Sequence, residues 1–354
     1  MNARTKMLHK SRPIPGFKAW RVGGFSGLLS TRSVATGLIL MVGLALVVGI
    51  SLAFGSKELP ITDALLASMG IGEPRTVFLV QELRMMRVVA GVFTGFAFGV
   101  AGCLLQTLAH NRLATPGVIG IDDGATAFAV ASIVAVPLTI APSMLALTGA
   151  VTAAVLTFGL SGGAGARGYR FIVVGIGVGA LLAAITNLML ARTDMDSANA
   201  AYPWTVGSLN ARNEQSVWLL GGALVLFLPL MGLIARQVNT LRFSPQVAAG
   251  LGLRLNQARI TVLLISVVLT ALAVGVVGPV GLIALLAPEL ARYMNGHRTV
   301  PIFNAGLAGA FVMVLADWVG RILFTPVEIP VGVILAVVGG PYLLWIVMRP
   351  NGRF

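Results

Sequence analysis

The chain has 354 residues, of which 57% are hydrophobic and only 10% charged, with 43 Gly, 17 Pro and a single Cys. A soluble domain carries about 25% charge to wet its surface, so this composition excludes a soluble globule, a disordered chain and a disulfide-rich secreted module. In so apolar a chain the net charge of +13 is a topology signal rather than a mark of nucleic-acid binding, because Lys and Arg favour the cytoplasmic side of a membrane.

A helical span needs about 20 apolar residues, so the length holds about ten spans and no large soluble domain. The expected class is all-α, a polytopic membrane protein. Residues 1–32 hold seven basic residues and no acid, and 1–33 reads as a cytoplasmic tail. The membrane-spanning body is 34–348, and 349–354 forms a second cytoplasmic tail. Apolar runs predict spans near 34–54, 84–108, 120–137, 142–161, 171–191, 216–235, 260–277, 280–294, 302–320 and 331–348. The shorter runs around 120–160 and 278–294 leave room for broken helices.

Charge supports this threading. With the N-terminus inside, the inner segments collect 18 basic residues against Asp122, Asp123 and Glu289, whereas the outer ones collect seven basic residues. Glycines recur at Gly91, Gly95, Gly99 and Gly102 and at Gly175, Gly177 and Gly179, a spacing that lets helix backbones approach in lipid.

Four segments carry polar residues that a plain bundle does not need. Arg84 and Arg87 lie three apart at the outer mouth of span two and share a helix face; they read either as snorkelling residues or as a cationic pair awaiting carboxylates. In 102–125 a helix runs into a Pro/Gly turn where Asn111, Asp122 and Asp123 can cap the next helix. His110 and His297 lack companions at metal spacing, so no metal site is expected. The longest inner connection contains Ser244-Pro245, an N-cap and N1 pair, then Val247, Ala248 and Leu251 as a short apolar stripe, with Gly250 and Gly252 as stops. It reads either as a partner-docking helix or as one resting on lipid. Asp317 and Arg321, four apart, can pair on one face, or Arg321 can join Arg84 and Arg87 in one basic patch.

In order, these segments resemble the FecCD family, the permeases of iron-siderophore and cobalamin ATP-binding-cassette importers. The resemblance rests on Leu83-Arg84 with Arg87, the run from Gly102 through Gln106 and Asn111 to Pro116, and Gly120 with Gly124-Ala125. It continues through Trp204 to Leu209, Ala248 to Gly252, Val277 to Gly281, Pro288 with Ala291-Arg292, Ala316-Asp317, Arg321, Glu328 to Gly332 and Gly340 to Tyr342, covering 55–348. The chain departs from the family pattern at Arg112, where Pro is usual, at Met85-Met86, where Leu-Pro is usual, and at Glu289, where His is usual.

The resemblance implies the fold of a type II importer permease with about ten transmembrane helices. It implies a ferric siderophore as cargo, moved across the bacterial inner membrane by alternating access, with cobalamin or haem as alternatives. The implied partners are a second permease, as homodimer or paralogous heterodimer, two ATPase subunits that bind ATP and Mg, and an extracytoplasmic solute-binding protein. The chain itself is not an enzyme in this reading and holds no cofactor. Carried over residue by residue, Arg84, Arg87 and Arg321 would dock the binding protein. Ser244, Pro245, Val247, Ala248, Gly250, Leu251, Gly252 and Leu253, within 244–253, would contact the ATPase. Gly168 and Tyr169 would form a cytoplasmic gate. The bottom-up alternative, an ion-coupled secondary transporter, calls for an acid in mid-span, and the threading places none there.

Overall fold

A computed structural model describes residues 16–22, 25–55, 58–134, 141–162, 169–210, 212–296 and 299–348. Strands β1 (Phe17–Val22) and β2 (Phe25–Ser30) pair antiparallel, with Phe17 opposite Ser30 and Val22 opposite Phe25. The tail expected over 1–33 therefore contains a two-stranded antiparallel sheet, which was not expected from the sequence. Helix α1 (Thr31–Ala53) starts directly after it, with Ser30 Oγ accepting from the Ser33 amide at 3.4 Å.

The helices that follow are α2 (Ile61–Ser68), α3 (Pro74–Phe78), α4 (Met86–Ala109), α5 (Ile121–Val134), α6 (Pro142–Ser161), α7 (Tyr169–Ala191) and α8 (Met195–Val206). The chain continues through α9 (Glu214–Leu241), α10 (Pro245–Gly250), α11 (Leu255–Val277), α12 (Ile283–Asn295), α13 (Ile302–Ile322) and α14 (Val331–Met348). A π-helical turn, Leu79–Met85, joins α3 to α4, so the second span begins about ten residues before its expected start. Each of the ten expected spans falls on a helix. Seven helices among the described residues are long and apolar enough to cross a membrane unaided.

Two of the others start at turns. Helix α5, described over 14 residues, follows a 3₁₀ turn, Pro116–Ile119, inside the bundle. The Thr157 hydroxyl of α6 donates to the Ile119 carbonyl at 2.9 Å, which fixes that turn beside the lower part of α6. Helix α12 has 13 residues, and it follows a turn at Gly278, whose φ of +83° an L side chain rarely adopts.

Small residues set the packing. A Cβ at Gly95 would lie 2.4 Å from the Gly309 carbonyl oxygen, and one at Gly309 would lie 2.0 Å from that of Gly95. The α4 and α13 backbones thus touch directly, the close approach that replaces hydrophobic drive in lipid. Leu226 and Leu233 of α9 and Leu264 of α11 face outward, as apolar solvent allows.

The placement of Asp122 and Asp123 corrects the threading. Both stand in the first turn of α5, and Gly124 packs against Gly149 and Ala153 in the middle of α6. They therefore lie within the bundle rather than in an inner loop. Asp122 Oδ1 has no hydrogen-bond partner among the described residues, so the expected cap is not formed by that oxygen.

Candidate functional site

Hydrogen bonds sort the polar residues onto two ends of the bundle. At one end Arg32 Nε donates to the Met294 carbonyl at 2.8 Å, the Val300 amide donates to Asn239 Oδ1 at 2.9 Å, and Arg112 pairs with Glu289. This end carries α10. At the opposite end the close of α1, the start of α4 and the close of α13 meet.

There the structure brings Arg84, Arg87 and Arg321 together. Arg84 donates through Nη1 to the carbonyls of Leu52 at 2.6 Å and Ala53 at 3.0 Å. These are among the last carbonyls of α1, where the helix dipole favours a cation. The π turn sets Arg84 towards α1, while Arg87, one turn on, reaches α13. Arg87 donates from Nε to both Asp317 oxygens at 3.0 and 3.1 Å, and from Nη1 to Glu328 at 2.7 Å. Arg321 Nε lies 3.3 Å from Asp317, the pairing expected at four-residue spacing, and its Nη2 donates to the carbonyl and hydroxyl of Ser51.

The picture of arginines awaiting carboxylates is therefore corrected. Asp317 is 3% exposed, and the Arg87 and Arg321 side chains are 9% and 6% exposed, because a cation at this depth needs an internal partner. Glu328, at 43% exposure, is the outward edge of the cluster. Among the described residues the cluster sets three arginines against two carboxylates, Asp317 and Glu328. Sequence reasoning paired Asp317 with Arg321; what it missed is that Asp317 also holds Arg87 and that Glu328 closes the cluster on its outer side.

Arg212 was also unmarked. Its guanidinium stacks 4.4 Å from the Trp204 ring centroid and donates to the Ser208 carbonyl at 2.6 Å. The Ser208 amide in turn donates to the Val277 carbonyl at 2.8 Å. The Trp204 to Leu209 motif is thus clamped onto the end of α11.

At the other end, α10 follows Ser244 with Pro245 at its first position, as expected, but the Ser244 side chain makes no capping hydrogen bond among the described residues. The expected stripe is divided. Ala248 is fully buried within the chain, whereas Phe243, Val247 and Leu251, spaced by four, are all exposed. A Cβ at Gly250 or Gly252 would meet nothing within 4 Å, and Gly252 has φ +85°. Leu253 is half-buried, its amide donating to the Ala248 carbonyl at 3.1 Å. Nearby, Glu289 accepts from Arg112 at 3.2 Å and from Arg292 at 3.0 Å, and Arg292 also donates to Gln106. Of the gate pair, Tyr169 opens α7 and Gly168 lies outside the described residues.

The described residues thus form a polytopic bundle, seven of whose helices are long and apolar enough to cross a membrane, with a basic cluster at one end and a short exposed helix at the other. The FecCD transport family model matches residues 19–349, and the chain belongs to that family. It is 33% identical over 338 residues to the achromobactin transport system permease protein CbrC of Dickeya dadantii, covering 93% of this chain and 96% of that one. It is 30% identical over 326 residues to the ferric enterobactin transport system permease protein FepG of Escherichia coli, covering 92% and 99%. Its fold is shared, at TM-score 0.77 and 21% identity, with a solved inward-facing structure described as a metal-chelate type ABC transporter, covering 90% of this chain and all of that one. The protein is thus a multi-pass membrane permease of the transport class.

Proposed function

We propose that this chain is the membrane subunit of an ATP-driven importer that carries a ferric siderophore across the bacterial inner membrane. The observation that carries the reading is the division of labour between the two ends. The Arg84, Arg87 and Arg321 cluster lies behind Glu328, its exposed edge, so a carboxylate on a solute-binding protein can reach Arg87 by displacing Glu328. The opposite end offers Phe243, Val247 and Leu251 as an apolar ridge, suited to a groove on an ATPase.

In this reading the ridge end is cytoplasmic, as are both termini. The partners are a second permease subunit, two ATPases that hold ATP and Mg, and an extracytoplasmic binding protein. This chain holds no cofactor and performs no hydrolysis; it converts ATPase movement at α10 into alternating exposure of a pathway. The siderophore assignment draws on the achromobactin and ferric enterobactin systems of its relatives.

Purification of the tagged chain from its own membranes, with mass spectrometry of what accompanies it, tests the assembly. An ATPase and a second permease are expected. Uptake of iron-loaded siderophore by cells lacking the chain tests the cargo: undiminished uptake of every ferric chelate supplied defeats the siderophore reading.

A further inference from the structure

A cavity of about 340 Å³ opens at the α10 end, between the last turns of α9 and the segment that leads into α11. Its polar lining is Arg236, Gln237, Thr240, Arg254 and Gln257, and no acidic residue contributes to it. Neither arginine has an ion-pair partner among the described residues. The site therefore offers two guanidinium groups and two amides, a donor set matched to a phosphate.

What lies above the cavity identifies the phosphate. Along α9, Leu219, Leu226 and Leu233 recur every seven residues, and all are exposed; the next position in that series is Thr240, in the cavity wall. On α11, Leu264 is exposed and stands seven residues after Gln257, also in the wall. Both outward apolar faces descend into the same basic cavity, with acyl-chain surface above and headgroup chemistry below.

We propose that this cavity holds the headgroup of an anionic phospholipid whose acyl chains lie along α9 and α11. The inference rests on the sidedness proposed above only for the leaflet that supplies the lipid. Because Leu251 and Leu253 share the cavity wall, the bound lipid braces the segment that carries α10.

The test uses the full chain, purified and delipidated, titrated with phosphatidylglycerol or phosphatidylcholine and read by native mass spectrometry. Phosphatidylglycerol is expected to bind about tenfold more tightly, a preference abolished in the Arg236→Gln/Arg254→Gln double variant. Gln257→Glu, which keeps both arginines and adds a carboxylate to the cavity, is expected to abolish it too, while Arg242→Gln retains it. An unchanged preference in both altered cavities overturns the proposal. So does displacement by millimolar inorganic phosphate alone, which marks a free-anion site, or release of the lipid when the ATPase binds, which marks a protein contact. ATPase docking is scored separately by co-purification, so failure of the lipid site and failure of the importer reading give different results.

Discussion

Arg112 and Glu289, the two residues expected from the sequence to stand where the family usually has Pro and His, face each other at 3.2 Å across the loop after α4 and the body of α12 as one ion pair. Glu289 also holds Arg292, so the two partners are unequal. Arg112 is 31% exposed, and its loss is expected to cost at most about 1 kcal/mol. Glu289→Gln leaves the more buried Arg292 short of its carboxylate, at about 1–3 kcal/mol. Thermal unfolding of Arg112→Gln, Glu289→Gln and the double variant checks this; equal single-variant effects, or strict additivity, defeat it.

Asp317 is the shared anion between Arg87 and Arg321. Asp317→Asn is expected to lose about 3–5 kcal/mol, since it leaves buried cations without their charge partner. Glu328 plays a different part, because it is exposed and occupies the outward Nη1 of Arg87. An incoming carboxylate must compete with it. Glu328→Gln is therefore expected to tighten binding-protein docking, measured by surface-immobilised titration, while Arg87→Gln weakens it. Weaker docking in Glu328→Gln removes the competition argument.

Asp194 caps α8 by accepting from the Ser197 amide at 3.0 Å, and that bond holds its carboxyl below the ordinary carboxylate range. A depressed value in the folded state contributes stability above the unfolded value near about 4 and loses it as pH falls through the folded value. Hydrogen-exchange protection at the start of α8 is thus expected to stay level from neutral pH down to about 4 and to fall below it. In Asp194→Asn that acid-dependent loss should vanish.

The spans were legible because lipid demands continuous apolar helices, and that signal survives in any window of the sequence. Which polar groups meet was not legible beyond local spacing. Asp317 and Arg321, four residues apart, were paired in advance, whereas Arg87 and Asp317 are 230 residues apart and meet only through the α4 and α13 contact. The depth of Asp122 was misread because a turn inside the bundle has the same Pro, Gly and Asp content as a turn in water. The pairing of β1 with β2 was not legible because Phe25–Ser30, with Ser, Gly and Leu, carries little strand propensity.

Glycine spacing was read as packing, and the structure separates the glycines by what they face. Gly95 meets the Gly309 backbone, while a Cβ at Gly177 would meet nothing within 4 Å. Gly95→Ala is expected to push α4 from α13 and to destabilise by about 1–3 kcal/mol or more. Gly177→Ala should be neutral or slightly stabilising in the isolated chain, because alanine favours the helix. Thermal midpoints of the two purified variants decide this, and a similar loss in both would show that Gly177 is covered by a second subunit.

The sharpest test of α10 follows from the division of its apolar residues. Ala248 is buried in the chain itself, so Ala248→Glu would damage the fold as well as any contact, and a lost ATPase would carry no message. Val247 and Leu251 are exposed on the ridge, and Gly250 has open space around it. Charged substitutions there add no internal clash and bury no charge until a partner arrives. Val247→Glu and Leu251→Glu are therefore expected to insert at normal levels, keep the thermal midpoint of the isolated chain and lose the co-purifying ATPase along with uptake. A buried unpaired carboxylate at such a contact costs several kcal/mol, enough to dissociate an interface of micromolar affinity. If both variants retain the ATPase and transport normally, the ridge rests on lipid or water, and the work of ATP hydrolysis enters this permease elsewhere.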